Sequence, residues 1–88
     1  MPHIIVKLYK GRSDEVKMQL AKEIVKNVST IAGCEETVVS VSFEEFDPSE
    51  WPEKVYKPDI LKKKESLVIK PGYNPFETQR ETSTDFRQ

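Results

Sequence analysis

The sequence has few of the residues that hold a small protein together. Its 88 residues include one cysteine, Cys34, and one histidine, His3. A single cysteine excludes a disulfide within the chain and is interpreted as an ordinary free thiol. No cysteine and histidine cluster of the kind that binds zinc is present, so we expect neither metal nor cofactor. A chain this short forms one domain at most and buries a modest core, so we expect further copies of the chain to supply the rest.

The sequence also lacks an excess of charge of either sign and any long apolar run. Its 14 basic and 15 acidic residues give a net charge of −1, which offers no general attraction for nucleic acid or an anionic membrane. The longest apolar runs, such as Ile4-Ile5-Val6, are three residues long, whereas a membrane span needs about 20. No secretory signal fits the start of the chain. With the unpaired cysteine, this predicts a cytoplasmic protein without a nucleic-acid or membrane partner.

The first half of the chain has the pattern of a β-α-β unit. Residues 3–9 are rich in β-branched and aromatic side chains and predict a strand. Ser13 is suited to cap a helix, and Gly33 is suited to end it. Residues 37–43 predict a second strand, which a helical crossover makes parallel to the first. Between the caps, apolar residues recur at spacings of three and four: Leu20, Ala21, Ile24, Val28 and Ile31.

Two strands and one helix cannot close a core, so we expect oligomerisation to complete the sheet. Residues 44–58 contain three prolines and predict an irregular segment. Asp59 can cap a second, short helix that ends before Pro71-Gly72. The predicted fold class is therefore α/β, with one domain at 1–73 and a flexible tail at 74–88.

Pro2 is the first candidate for chemistry. A proline nitrogen within a chain is a tertiary amide without basicity, but removal of Met1 makes it a secondary amine. Such an amine titrates within reach of neutral pH, and desolvation or a nearby cation lowers its pKa further. A general base works best when its pKa is near the operating pH. Pro2 at the head of the first strand is thus a possible base, or an incidental proline.

Arg12 and Trp51 are two further candidates. Arg12 follows the first strand, at the sheet edge where ligands of parallel β-α-β units usually bind, and its guanidinium suits a carboxylate. Pro2 and Arg12 are ten residues apart, which is about 30 Å in an extended strand. Two antiparallel subunits can bring the two residues to one substrate. Trp51 offers a flat apolar wall and an indole donor, or serves as a core or interface aromatic.

These residues lie within motifs that resemble a known family. The start MPHIIVKLYKGRSDE, residues 1–15, is similar to the 4-oxalocrotonate tautomerase family, in which proline follows Met and a strand leads to Gly-Arg-Ser-Asp-Glu and a helix. The stretches Asp47–Trp51 and Ile69–Tyr73 resemble its longer-chain, dimeric, PptA-like subgroup. The resemblance implies a β-α-β isomerase that forms dimers or hexamers, with a dimer favoured.

The resemblance also implies roles for the candidate residues. Pro2 takes a proton from a small enol or dienol of a 2-keto acid and returns it to a distal carbon. Arg12 binds the substrate carboxylate, and Trp51 keeps the site dry beside the proline. A second arginine of the family is replaced by Ser40, which favours monocarboxylate enols of the arylpyruvate type. Lys54 or Lys57 is a possible substitute for that arginine.

Two other interpretations stay open. The same scaffold supports hydrolytic dehalogenation of 3-haloacrylates, for which Glu44 or Glu45 is the candidate to activate water. That chemistry uses two arginines, and here one of them is missing. The third interpretation is a non-catalytic assembly module, which an acetylated or uncleaved N-terminus would indicate.

Overall fold

Strands β1 (His3–Tyr9) and β2 (Ser40–Phe46) pair in parallel, joined by helix α1 (Asp14–Ala32). They belong to Met1–Asp47, the first of two compact units; the second begins at Pro48. The computed structural model describes residues 1–76. This β-α-β arrangement confirms the predicted α/β class.

Helix α1 begins and ends where the sequence predicts. The Ser13 hydroxyl accepts a hydrogen bond from the backbone N–H of Val16 at 3.1 Å, which satisfies one of the unpaired donors of the first turn. Gly33 adopts φ 77°, a left-handed conformation that glycine takes without strain, and donates to the Ser29 carbonyl. Asp14 and Glu15 lie in the first turn, where the helix dipole favours negative charge.

Strand β2 begins three residues later than predicted and continues to Phe46. Glu36–Val38 forms a short 3-10 turn, and pairing starts where Ser40 lies opposite His3. The strand continues through two acidic residues, Glu44 and Glu45, each of which contacts a lysine ammonium group. The boundary therefore depends on pairing and charge contacts that local patterns do not reveal.

The first unit has no closed core. Of residues 1–47, all of which the structure describes, none is buried. Helix α1 lies on the face of the sheet that carries Glu45, whose carboxylate contacts Lys17 of the helix. The opposite face carries Ile5 and Tyr9, which are 51% and 43% exposed. The sheet has two strands within the described residues.

The second helix is confirmed, but its predicted position is wrong. Pro52–Leu61 forms a π-helix within the segment expected to be irregular. Pro52 occupies its first turn, where a backbone N–H would have no acceptor within the helix, so the helix loses no hydrogen bond there. The π-helix contains Pro58. At its end the N–H of Lys62 donates to the carbonyl of Lys57, five residues earlier, which is the spacing that defines this helix type.

The residues expected to form the second helix mostly do not. Asp59 lies inside the π-helix instead of capping a new one, and from there to residue 76 the short 3-10 turn Lys64–Ser66 is the only further helical element. Val68 is 96% exposed. The buried residues of the described part are Val55 and Tyr56, both in the π-helix. Their burial outweighs the local preference of the prolines for irregular chain.

Residues 77–88 lie outside the described part, and with them most of the tail predicted at 74–88. The single domain at 1–73 stays a prediction. None of the helices in residues 1–76 is both long enough and apolar enough to cross a membrane. The same residues contain no group of three or more His, Cys, Asp or Glu side chains arranged to hold a metal ion.

Candidate active site

Pro2 lies at the head of β1 and is half-buried. Its carbonyl oxygen accepts a hydrogen bond from the backbone N–H of Ser40 at 3.2 Å. Met1 precedes it and is 96% exposed. The ladder between the two strands therefore extends to Pro2 and fixes its backbone at the end of the sheet.

Ser40 makes a second contact at this end of the sheet. Its Oγ lies 2.7 Å from Nδ1 of His3, its register partner on β1. Both side chains are exposed. Sequence reasoning singled out Ser40 but considered His3 only as the chain's single histidine. The available signal was its position directly after the candidate base.

Arg12 lies beyond the other end of β1. The seven-residue strand between Pro2 and Arg12 spans about 20 Å. Gly11 adopts φ 124°, outside the range of other residues, and turns the chain from the strand toward the helix. The Arg12 side chain is exposed, and Nη1 donates to the Tyr9 carbonyl at 3.2 Å. One chain brings Pro2 and Ser40 together and keeps Arg12 at the opposite end of the sheet.

Trp51 belongs to the second unit, where it precedes the π-helix. Its indole Nε1 donates to the phenol oxygen of Tyr73 at 2.7 Å. Tyr56 in turn donates from Oη to the backbone carbonyl of Tyr73 at 2.9 Å, and the two phenol rings lie 5.3 Å apart. These contacts fix the orientation of the indole. Sequence reasoning missed Tyr56 and Tyr73 because their contacts join residues 17 and 22 positions apart.

The lysines considered as substitutes for the missing arginine both have acidic partners on their own segment. Lys54 Nζ lies 3.1 Å from Glu50, and Lys57 Nζ lies 3.6 Å from Glu53. Each pair is separated by four residues, the spacing at which side chains meet along a helix. The positive charge of both lysines is therefore partly compensated within the second unit.

The two carboxylates considered for water activation are also paired. Glu44 lies 3.9 Å from Lys7, and Glu45 lies 3.0 Å from Lys17. The hydrogen bond with Glu45 is the largest influence on Lys17 and raises its pKa above the ordinary value; burial opposes this, and the charges of Glu45 and Asp14 add to the rise. The Glu45 side chain thus lies on the sheet face that α1 covers.

Comparison with known proteins gives one family throughout. The family model described as "Tautomerase enzyme" matches residues 2–52. A "Probable tautomerase" of Xylella fastidiosa is 40% identical over 73 residues, which cover 83% of this chain and 89% of the relative. "Tautomerase PptA" of Pectobacterium carotovorum is 35% identical over 75 residues, which cover 84% of this chain and 99% of the relative.

Solved structures give the same result. The crystal structure of TomN, described as a 4-oxalocrotonate tautomerase homologue in the tomaymycin biosynthetic pathway, superposes with a TM-score of 0.55 at 30% identity. The superposition covers 57% of this chain and 77% of that one.

Proposed function

The chain belongs to the tautomerase family and is an isomerase, and from this premise we propose that Pro2, freed of Met1, is its general base. The observation that carries the proposal is the hydrogen bond from the Ser40 N–H to the Pro2 carbonyl at 3.2 Å. It holds the residue, which follows Met1 directly, at the end of the sheet. Removal of Met1 therefore leaves a secondary amine attached to a rigid element.

The proposed reaction needs no reactant besides the substrate. The neutral amine takes the proton from the enol hydroxyl and becomes positively charged. The electron pair of the broken O–H bond forms the carbonyl, and the carbon–carbon double-bond electrons move to the distal carbon. That carbon takes the proton back from the ammonium form of Pro2, so the base is regenerated.

We propose that Arg12 binds the substrate carboxylate and that it does so in a homo-oligomer, of which a dimer is the simplest form. The guanidinium is exposed at the end of β1 opposite to Pro2. Two antiparallel subunits bring the Pro2 of one copy to the Arg12 of the other. The absence of a buried residue among residues 1–47 supports such an assembly, since a partner would cover Ile5 and Tyr9, the exposed large apolar side chains of the sheet face away from α1.

The proposed substrate is a small enol that carries one carboxylate, such as an arylpyruvate enol. Ser40 is neutral, and both Lys54 and Lys57 are paired with glutamates. A second substrate carboxylate would therefore lack a dedicated cation. We propose Trp51 as the aromatic wall that keeps water from the amine and lowers its pKa. The cytoplasmic location stays a prediction.

Tautomerisation is favoured over dehalogenation by the ion pairs of Glu44 and Glu45. Each carboxylate contacts a lysine ammonium group of the same unit, and a water to be activated would have to compete with that contact.

The decisive experiment compares three forms of the protein with one substrate, the enol of phenylpyruvate. The forms are the trimmed protein, Pro2→Ala, and a form that retains Met1, with circular dichroism to confirm equal folding. We expect Pro2→Ala to keep part of the activity because it leaves a primary amine. We expect the Met1-retaining form to be inactive because its nitrogen is an amide. Equal activity of the trimmed and Met1-retaining forms would refute the base assignment.

A further inference from the structure

His3 has no role in the chemistry described so far, although it follows Pro2 directly. Its Nδ1 lies 2.7 Å from Ser40 Oγ, while the backbone N–H of the same serine binds the Pro2 carbonyl. Ser40 is thus bonded to both of the first two residues after Met1. The pair therefore lies at the end of the sheet where the backbone of the proposed base is held.

The hydrogen bond within the pair leaves one polar hydrogen pointing away from it. A single proton lies between Nδ1 and Oγ. If serine donates it, the neutral imidazole carries its own proton on Nε2. If imidazole donates it from Nδ1, the serine O–H is left to donate elsewhere. With a neutral imidazole, either arrangement presents one uncharged donor.

This donor is available for a ligand. Both side chains are exposed, and in residues 1–76 neither His3 nor Ser40 forms an ion pair. The charged groups on the same sheet face are Lys7 and Glu44, which are register partners four residues further along the strands and bind each other. They therefore leave the His3–Ser40 pair without a competing charge beside it.

We propose that His3 and Ser40 together bind the substrate oxygen that changes between hydroxyl and carbonyl during tautomerisation. This inference rests on the proposed function, because it assumes that the substrate lies against Pro2. Loss of the hydroxyl proton places negative charge on that oxygen, and a fixed neutral donor stabilises the charge as it develops. An uncharged pair suits a single hydroxyl or carbonyl oxygen better than a second carboxylate. His3 is therefore a substrate-binding residue.

The test is a double-mutant cycle of His3→Ala, Ser40→Ala and the double variant, assayed with the enol of phenylpyruvate. We expect each single variant to lower kcat/KM by about 10–150-fold, the range for loss of a hydrogen bond to a charged group. Because the two residues act as one donor, the kcat/KM of the double variant should be no lower than that of the less active single variant. Ser40→Thr, which keeps the hydroxyl on a residue suited to strands, should retain nearly full activity.

Glu44→Gln is the matched control, because it disrupts a register pair of the same two strands without touching the His3–Ser40 pair. It should leave kcat/KM unchanged. If Glu44→Gln lowers activity as much as Ser40→Ala, or if Ser40→Thr is as impaired as Ser40→Ala, the pair only holds the strands together and the inference is wrong.

The Met1-retaining form, assayed in parallel, separates the two levels of the proposal. If it is inactive while His3→Ala and Ser40→Ala are fully active, Pro2 remains the base and only the present inference fails. If the Met1-retaining form is active, the proposed function fails, and this inference fails with it.

Discussion

The ammonium group of Lys17 on helix α1 lies 3.0 Å from the carboxylate of Glu45 on strand β2. The two side chains are 20% and 28% exposed, so water reaches both only in part. The pair joins the crossover helix to the sheet. Glu45 lies beyond Phe43, the position at which the sequence predicts the strand to end.

The first prediction concerns the pH dependence of this contact. The pKa of Lys17 is raised in the folded protein, mainly by its hydrogen bond with Glu45. Its stabilising effect is therefore complete below the unfolded value of 10.5 and is lost as pH rises through the higher folded value. Lys17→Met should lower Tm at neutral pH, and the difference from the natural chain should shrink in strong alkali. Calorimetry that shows a difference independent of pH would contradict this.

The second prediction concerns Arg12→Ala. Loss of a charged hydrogen bond to the substrate carboxylate should cost about 1.5–3 kcal/mol in kcat/KM, or roughly 10–150-fold. Enols without a carboxylate should be much less affected. Lys10→Ala is the matched control, because Lys10 lies at the same sheet edge and pairs with Asp47 at 3.5 Å. If neutral enols lose as much activity as carboxylate-bearing ones, Arg12 supports the fold or an interface.

The third prediction concerns the pH profile. The proposed mechanism requires the neutral amine of Pro2, so kcat/KM should rise with pH and then level off at a midpoint that reports the amine pKa in the free enzyme. Replacement of the proposed wall by Trp51→Ala admits water, which favours the charged amine and should move the midpoint to higher pH. If the midpoint is unchanged in Trp51→Ala, the role proposed for Trp51 is wrong.

A control for that substitution is Tyr73→Phe. It removes the oxygen that accepts the indole N–H of Trp51 but keeps both rings. The midpoint should therefore move less than in Trp51→Ala.

The fourth prediction concerns assembly. Light scattering at micromolar concentration should give the mass of a dimer, with a hexamer as the alternative. Ile5→Lys places a charge on the sheet face away from α1 and should shift the protein toward monomer. Met18→Lys places the same charge on the helix, at a residue that is 57% exposed, and should leave the mass unchanged. A folded and active monomer of the natural chain would overturn the assembly.

The sequence predicts the elements whose ends are determined locally. Ser13 and Gly33 mark helix α1 because a cap is a contact between near neighbours. The start of β2 is less visible, since it depends on the register that puts Ser40 opposite His3. Local patterns do not predict the π-helix, because a proline such as Pro58 normally interrupts a helix. Only packing within the second unit compensates for the hydrogen bond that the proline cannot make.

The candidate site divides in the same way. Pro2 follows from the chemistry of a terminal amine, and Arg12 from its place between strand and helix. The neighbours of these residues come from contacts between distant segments. Ser40 lies 38 positions from Pro2 and Tyr73 lies 22 positions from Trp51. No periodicity in the sequence encodes such contacts.

Because the Ser40 amide donates to the Pro2 carbonyl, a measurement at Ser40 on β2 reports how well the first residues of β1 are ordered. Strand ends fray, and each opening of this bond exposes the Ser40 amide to exchange with solvent deuterium. The protection factor of this one amide therefore gives the fraction of time for which Pro2 is held against the sheet. In the proposed mechanism Pro2 reacts from this end of the sheet, so this fraction sets an upper limit on the population of enzyme that is ready to react.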